Sequence, residues 1–156
     1  MKSESRTPNQ VANMNDKTRI LVVDDDEVVR RSYVRSLQSL ACNVDAASNG
    51  AEALQSMERN AFDVVLLDIR MPGQDGISVL RTIKQKWPES EVVVITGYPT
   101  VDSAKEAVRL GAYDYLAKPV GPQDVVRATD GARTRKHWAL RRVPEDRDLK
   151  RGTRAA

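Results

Sequence analysis

The sequence predicts an α/β domain in which a five-stranded parallel sheet carries helices on both faces. Short apolar runs rich in β-branched residues alternate five times with stretches whose apolar residues recur at helical spacing. Strands that alternate with helices are joined by right-handed crossovers, which produce a parallel sheet with both faces covered. The chain has 156 residues, a length that suits one such domain with short extensions.

The first half of the predicted domain contains three strands. They are residues 20–23, 42–46 and 62–67, and the middle one is the weakest. The first and third are continuously apolar, as expected for strands that are buried on both faces. Apolar residues at helical spacing predict a helix after each of the first two strands; these are Val29, Tyr33, Leu37 and Leu40, then Ala51, Leu54 and Met57.

The second half contains two further strands, residues 92–95 and 113–117, and the helices that flank them. The helix before residues 92–95 follows a turn at Asp75-Gly76 and is stopped by Pro88. The next helix carries Val101, Ala104 and Val108 on one face, and Gly111 is suited to cap its end in a left-handed conformation.

The last helix is predicted to be weak. Pro122 opens it in the first turn, where proline is tolerated. Gly131 lies inside it, at a cost of about 1 kcal/mol relative to alanine. Its apolar set is also thin, so a rigid final helix is not expected.

Charge divides the chain into an acidic domain and a basic tail. Residues 18–126 contain 12 Lys/Arg and 16 Asp/Glu, whereas residues 127–156 contain 10 and 4. We expect a flexible leader over residues 1–17, the folded domain over 18–136 and a flexible basic tail over 137–156. The whole-chain pI of about 9.1 describes none of these parts and does not by itself indicate nucleic-acid binding.

Composition excludes several classes of protein. One cysteine, Cys42, allows neither an intramolecular disulfide nor a cysteine-based metal site. No apolar run approaches the roughly 18 residues of a membrane-spanning helix, and the first 17 residues lack the apolar core of a signal peptide. We therefore expect a cytoplasmic protein with no membrane partner.

Reactive side chains follow the predicted strands. Asp24, Asp25 and Asp26 follow the first strand, and Asp68 follows residues 62–67. Thr96 follows the fourth strand and Lys118-Pro119 follows the last. In open α/β sheets, ligands bind outside the carboxyl ends of the strands. Clustered carboxylates favour a hard divalent cation such as Mg²⁺, and a carboxylate beside it can act as a nucleophile toward phosphorus.

Four segments in this order, LVVDDDE, LLDIRMPGQDG, VVVITGY and GAYDYLAKP, resemble the receiver domain of two-component response regulators. The resemblance covers about residues 18–136 and is strongest to receivers of the nitrogen-regulator type. It implies the flavodoxin-like, chemotaxis-type receiver fold, a (βα)5 three-layer sandwich with strand order 2-1-3-4-5.

The resemblance also implies roles for individual residues. Asp68 would be the phospho-acceptor, with Thr96 and Lys118 contacting the phosphoryl group. Mg²⁺, or Mn²⁺ in its place, would be held by a set of four groups: the carboxylates of Asp24, Asp25 and Asp68 and the main-chain carbonyl of Arg70. Asp26 is interpreted as a helix cap and not as a ligand.

Two further residues are assigned to the switch and to the peptide geometry. Tyr115 would be an aromatic switch whose ring moves with Thr96. The peptide bond between Lys118 and Pro119 is expected to be cis, an isomer that is accessible mainly before proline.

The resemblance implies a phospho-acceptor that is switched by a partner, not an enzyme with turnover. The phosphoryl donor would be a sensor histidine kinase or a phosphotransfer protein. The output partner is open, with a homodimer through the last helices as one option. The chain is either a stand-alone receiver or part of a longer regulator.

Two alternatives belong to other functional classes. A phosphatase that uses an aspartyl phosphate usually has a second Asp two residues after the nucleophile, where this chain has Arg70. The second alternative is binding of nucleic acid, because the ten Lys/Arg of the basic tail could neutralise phosphates, but no readout motif is visible. Arg70 and Tyr98 are the two bulky departures near the site, and both are expected to flank the approach of water to Asp68.

Overall fold

The structure is a computed structural model that describes residues 17–136. The predicted basic tail and residues 1–16 of the predicted leader lie outside the described residues. The main sheet has five strands: β1 (Thr18–Val23), β2 (Cys42–Ala47), β3 (Val64–Leu67), β4 (Glu91–Thr96) and β5 (Asp114–Ala117). Their order is β2-β1-β3-β4-β5 and every neighbouring pair is parallel, which confirms the predicted fold.

Five helices connect or follow the strands. They are α1 (Glu27–Leu37), α2 (Gly50–Arg59), α3 (Gly76–Lys86), α4 (Val101–Arg109) and α5, which covers residues 122–136 of the described chain. In the described part of the chain, no helix is both long enough and apolar enough to cross a bilayer.

The sheet separates two apolar cores because successive side chains of a strand point to opposite faces. On one face, β1 contributes Leu21 and Val23, which pack with residues of α2, α3 and α4. On the other face, Ile20 and Val22 pack with residues of α1 and α5. Strands β3 and β4 are buried along their whole length and β1 is buried over residues 20–23, which places their carboxyl ends at one protected edge.

A short antiparallel hairpin, Arg70–Met71 with Gln74–Asp75, follows β3 and was not predicted beyond a turn. Gly76 closes it, and its N–H donates to the carbonyl of Ile69 at 3.2 Å. A Cβ at Gly76 would lie 2.2 Å from the Ile69 Cα, so only glycine allows this approach. The hairpin therefore holds the chain that leaves β3 against the start of α3.

The expectation of a weak last helix is corrected by the structure. Helix α5 runs through Gly131 without interruption to residue 136. A Cβ at Gly131 would lie 2.3 Å from the hydroxyl oxygen of Tyr113, so the glycine makes room for the tyrosine. Ion pairs of Arg135 with Glu91 and of Lys136 with Asp63 fasten the end of the helix to the sheet.

Candidate functional site

The site lies at the carboxyl ends of β1, β3, β4 and β5. Carboxylate oxygens of Asp24, Asp25 and Asp68 all lie within 4.8 Å of one another. Asp24 and Asp68 are almost inaccessible, at 1% and 4% exposure, whereas Asp25 is exposed. The expected gathering of these three residues at one edge is thus present in the structure.

Asp24 accepts three hydrogen bonds, and its N–H donates a fourth to the carbonyl of Ala47 at 3.2 Å. Its Oδ1 accepts the N–H of Asp26 at 2.9 Å, its Oδ2 accepts Lys118 Nζ at 2.7 Å, and its main-chain carbonyl accepts Arg30 Nη1 at 2.7 Å. The contact of Arg30 was not predicted from the sequence. The only sign of it is that Arg30 lies four residues after the cap residue Asp26, which places its side chain one helical turn from that cap and within reach of Asp24. The contacts fix the corner between β1 and α1.

Asp26 caps α1 as interpreted from the sequence. Its Oδ1 accepts the N–H groups of Val28 and Val29, at 2.9 and 3.3 Å. The residue is not one of the three carboxylates in the cluster. Its carboxylate serves the helix terminus, where side-chain oxygens satisfy unpaired backbone donors.

Asp68 is positioned through both of its oxygens. Oδ1 accepts the N–H of Arg70 at 2.9 Å, and Oδ2 lies 3.2 Å from Lys118 Nζ. Burial raises the pKa of this carboxyl group and the charge of Asp24 adds to the rise, while the hydrogen bond from Arg70 and the charge of Lys118 oppose it. Both carboxylate oxygens of Asp68 are thus held in place at the carboxyl edge of the sheet.

Lys118 bridges the two buried carboxylates. Burial alone would lower the pKa of its ammonium, but the hydrogen bond and charge of Asp24, together with the charge of Asp68, raise it overall. The ammonium is therefore charged, and it reaches both acids because its main chain is tied to Thr96 by a 2.8 Å hydrogen bond. The Lys118–Pro119 peptide bond is cis, the isomer expected from the resemblance.

The three carboxylates and one ammonium fit a divalent cation. Three negative charges face one positive charge, so the cluster as a whole remains negative. Its ligands would be oxygen atoms, which is the donor type that Mg²⁺ and Mn²⁺ prefer. Asp25 is the exposed member of the three, and its carboxylate is open to an ion that retains water.

Thr96 ends β4 and is fully buried. Its Oγ1 accepts the N–H of Tyr98 at 3.1 Å, so the hydroxyl keeps its own proton to donate. The side chain of Tyr98 is 65% exposed, and its ring lies 4.3 Å from the guanidinium carbon of Arg70. Sequence reasoning placed both bulky residues near the site but did not predict that they contact each other.

Tyr115 is half-buried on β5, and its hydroxyl is directed to the start of α4. It forms a short hydrogen bond with Ser103 Oγ and accepts the N–H of Thr100 at 3.3 Å. Thr100 is also the cap of α4, since its hydroxyl accepts the N–H of Ser103 at 3.0 Å. A Thr directly before a helical stripe with an acid in its first turn is a recognisable cap signal, yet nothing in the sequence indicates the link to Tyr115.

Comparison with known protein families gives one match over most of the chain. The model of the response regulator receiver domain matches residues 20–130. That range contains the residues of the site described above and all of the strands except the first two residues of β1.

Curated relatives and solved structures agree with this match. The DNA-binding transcriptional regulator NtrC of Escherichia coli K12 is 38% identical over 113 residues, which are 72% of this chain and 24% of that protein. The C4-dicarboxylate transport transcriptional regulatory protein DctD of Rhizobium meliloti is 31% identical over 137 residues, 88% of this chain and 29% of that protein. The chain thus spans about a quarter of the length of the curated relatives it matches.

Among solved structures, a response regulator receiver domain protein of Clostridium thermocellum is 35% identical with a TM-score of 0.72, covering 78% of this chain and 98% of that one. A CheY-like receiver domain protein of Methanospirillum hungatei is 27% identical with a TM-score of 0.75. The match covers 78% of this chain and 97% of that one. The similarity therefore extends across the whole of those domains.

Proposed function

Because this chain belongs to the response regulator receiver family, we propose that it accepts a phosphoryl group on Asp68 and changes conformation to control a partner. The observation that carries the proposal is the group formed by Asp68, the acidic pair Asp24 and Asp25, and Lys118 at one sheet edge. A buried nucleophile, a cation and a place for a second cation are together what transfer of a phosphoryl group requires.

The reaction is a displacement at phosphorus. A carboxylate oxygen of Asp68 forms the new bond to phosphorus while the bond from phosphorus to the donor nitrogen or oxygen breaks, and the electron pair stays on the donor. Lys118, which already contacts Asp68, compensates the charge of the phosphoryl oxygens. The Thr96 hydroxyl keeps its own proton and would donate it to one of those oxygens.

Mg²⁺ is the proposed cofactor, with Mn²⁺ as a substitute. Asp24, Asp25 and Asp68 would hold it through carboxylate oxygens, together with the main-chain carbonyl of Arg70. When bound, the ion supplies charge stabilisation to the transferred phosphoryl group. The N–H of Arg70 is fixed on Asp68, which orders the turn that carries this carbonyl.

A surface groove next to the site is large enough to dock part of a protein that donates the phosphoryl group. A groove of about 470 Å³ runs between the start of α1 and the loop after β5, and Lys118 lies in its wall. Val28, which is 75% exposed, lines the same groove. We propose that a sensor histidine kinase or a phosphotransfer protein docks here and presents its phosphohistidine to Asp68.

The switch would run from Thr96 to Tyr115. When Thr96 turns toward a phosphoryl group, the space beside it opens to the ring of Tyr115, which would leave Ser103 and Thr100. The start of α4 would then lose two of its contacts. The output partner would recognise that change in α4. This partner is a further domain of a longer regulator, a separate protein, or a second copy of the chain that binds through the last helices.

A phosphatase is the weaker proposal. Hydrolysis with turnover needs a general acid close to the nucleophile. The residue two positions after Asp68 is Arg70, whose guanidinium stays charged and has no acceptor atom. We therefore propose that the chain is a phospho-acceptor with only slow loss of its own phosphate.

The direct test is incubation with a small acyl phosphate, with and without Mg²⁺. We expect a mass increase of one phosphoryl group in Mg²⁺ and none with a chelator. The variant Asp75→Asn, which changes a cap carboxylate at the start of α3, is the matched control and should take up the group normally. No mass increase in the parent protein would contradict the proposal.

A further inference from the structure

The hairpin that follows β3 is bonded to α2 as well as leading into α3. The main-chain N–H of Gly50 donates to Gln74 Oε1 at 2.8 Å. Gly50 is the first residue of α2, and Gln74 lies in the return strand of the hairpin. The two residues are 24 positions apart, so the bond joins elements that are distant in the chain. The reaction proposed above uses no atom of Gln74.

This bond satisfies a donor at the start of α2. The first N–H groups of an α-helix have no acceptor within the helix itself. The side chain of Asn49, the cap of α2, accepts the N–H of Glu52 at 2.9 Å. The N–H of Gly50 donates to the hairpin instead, and the positive end of the helix dipole strengthens its attraction for an oxygen. The contact therefore stabilises both the helix start and the hairpin.

The side chain of Gln74 is half-buried and lies directly against α2. A Cβ at Gly50 would come within 2.6 Å of Gln74 Cδ and 2.7 Å of its Nε2. The same Cβ would lie 2.6 Å from a methyl group of Val79 on α3. Because residue 50 is a glycine, the Gln74 amide has the space that it occupies.

The same hairpin contains the main chain that leaves the acceptor. Asp68 Oδ1 accepts the N–H of Arg70 at 2.9 Å. Across the hairpin, Met71 lies opposite Gln74 in the antiparallel ladder. The turn is therefore attached at both ends, to Asp68 at one and to α2 at the other. The carbonyl of Arg70, a proposed ligand of Mg²⁺, lies between the two attachments.

We propose that Gln74 is a positioning residue for the Mg²⁺ site, because its hydrogen bond to α2 holds the turn that carries the Arg70 carbonyl. The inference rests on the proposed function, since that carbonyl belongs to the proposed ligand set. Gln74 acts through the turn and does not contact the ion. Losing one hydrogen bond changes the ratio of held to released turn by roughly fivefold, so Mg²⁺ affinity should fall by about two- to fivefold.

Calorimetric titration of the full chain with Mg²⁺ tests this role. Gln74→Met keeps the length of the side chain but removes the acceptor, and the affinity should fall by about two- to fivefold. Gln74→Glu restores an oxygen that can accept the N–H of Gly50, and the affinity should return to near the parent value. Gln85→Met and Gln85→Glu, at an exposed position of α3, are the matched controls and should bind as the parent does.

A second measurement follows the Gly50 amide without any phosphorylation. Coupling between two events is reciprocal, so a bond that favours Mg²⁺ binding must itself be favoured by Mg²⁺. Hydrogen exchange of the Gly50 amide in the parent should therefore slow when Mg²⁺ is added. In Gln74→Met the same amide should exchange faster than in the parent, even in a chelator.

Three results would overturn the positioning role alone. They are a parent-like Mg²⁺ affinity in Gln74→Met, no recovery in Gln74→Glu, and exchange of the Gly50 amide that Mg²⁺ does not change. Lower stability of Gln74→Met with unchanged affinity would assign the bond to the fold only.

Two further results concern the proposed function. If the parent binds no Mg²⁺, the proposed cofactor fails and the role of Gln74 fails with it. If the parent binds Mg²⁺ but takes up no phosphoryl group, only the proposed phosphoryl transfer fails, because the titration decides the role of Gln74 by itself.

Discussion

The ammonium of Lys118 lies 3.2 Å from Oδ2 of Asp68 and, on its other side, 2.7 Å from Oδ2 of Asp24. The two carboxylates are buried side by side, and like charges at such spacing repel by roughly 1 to 4 kcal/mol, depending on the local dielectric. Lys118 therefore has a structural role that does not depend on a phosphoryl group. Its ammonium reduces the repulsion between the carboxylates of Asp24 and Asp68.

Replacing this cation should destabilise the metal-free protein. Lys118→Met leaves two buried carboxylates without their ammonium partner, and we expect the free energy of unfolding at neutral pH to fall by about 1 to 3 kcal/mol. Denaturant unfolding measures the change. Lys105→Met, at an exposed position of α4, is the control and should be nearly neutral. Equal stability of the two variants would show that the bridge is not needed.

The pH dependence of stability should depend on Asp68. Its pKa is raised mainly by burial and also by Asp24, so the folded protein holds this proton more tightly than the unfolded chain does. The stability that follows from this is complete below the ordinary aspartate pKa and is lost as the pH rises through the raised value. In metal-free protein, Asp68→Asn should lack this loss and be more stable at neutral pH by on the order of 1 kcal/mol.

Unfolding curves of both proteins across the acidic range check this sign. Glu89→Gln, at an exposed loop position, is the control and should keep the parent profile. Identical profiles for the parent and Asp68→Asn would contradict the account. So would a parent that gains stability over this range relative to the variant.

Mg²⁺ affinity should depend on Asp25 and not on its neighbour. Asp25→Asn removes the exposed carboxylate of the cluster, and we expect affinity to fall by about tenfold or more, since even supporting groups around a metal typically contribute that much. Asp26→Asn keeps an oxygen for the cap of α1 and should bind nearly as the parent does. Calorimetric titration compares the two, and equal affinities would remove Asp25 from the site.

The hydroxyl of Tyr115 should be released more readily when its partner is removed. Ser103→Ala deletes one of the two contacts that hold this hydroxyl at α4. The ring position at α4 should then be less stable by about 1 kcal/mol, so the ratio of this position to others should fall roughly fivefold. The amide resonance of Thr100, which donates to the same hydroxyl, reports the change. Ser36→Ala on α1 is the control, and an unchanged Thr100 resonance in Ser103→Ala would exclude the contact.

Alanine at Gly131 should destabilise the protein although alanine is the better helix former. The added Cβ would meet the hydroxyl of Tyr113, and overpacking of this kind costs about 1 to 3 kcal/mol. Thermal unfolding should show that Tyr113→Phe partly relieves the loss, since the clashing oxygen is gone. A stabilising Gly131→Ala would mean that helix propensity outweighs the contact.

The sequence predicts well whatever depends on strand periodicity. Continuous apolar runs locate β1, β3 and β4, and the residue that follows each run then lies at the carboxyl edge of a parallel sheet. Asp24, Asp68 and Thr96 could be assigned to one site for that reason alone. Lys118 was placed by the same rule, at the end of the last strand.

Contacts between side chains from different elements could not be predicted in this way. The Arg70–Tyr98 stack, the Ser103–Tyr115 hydrogen bond and the fit of Tyr113 against Gly131 depend on rotamers and on the spacing of packed elements. A glycine in a helix indicates only a lower propensity until its neighbour is known, which is why the last helix was predicted to be weak.

The measurement that tests the central claim most directly locates the phosphoryl group in the chain. The protein is phosphorylated with a small acyl phosphate in Mg²⁺, the acyl phosphate is trapped by reduction with borohydride, and the reduced residue is identified by peptide mass spectrometry. We predict reduction at residue 68 and none in Asp68→Asn. Reduction at Asp24 or Asp25 in the parent protein, or uptake of the phosphoryl group by Asp68→Asn, would contradict the account.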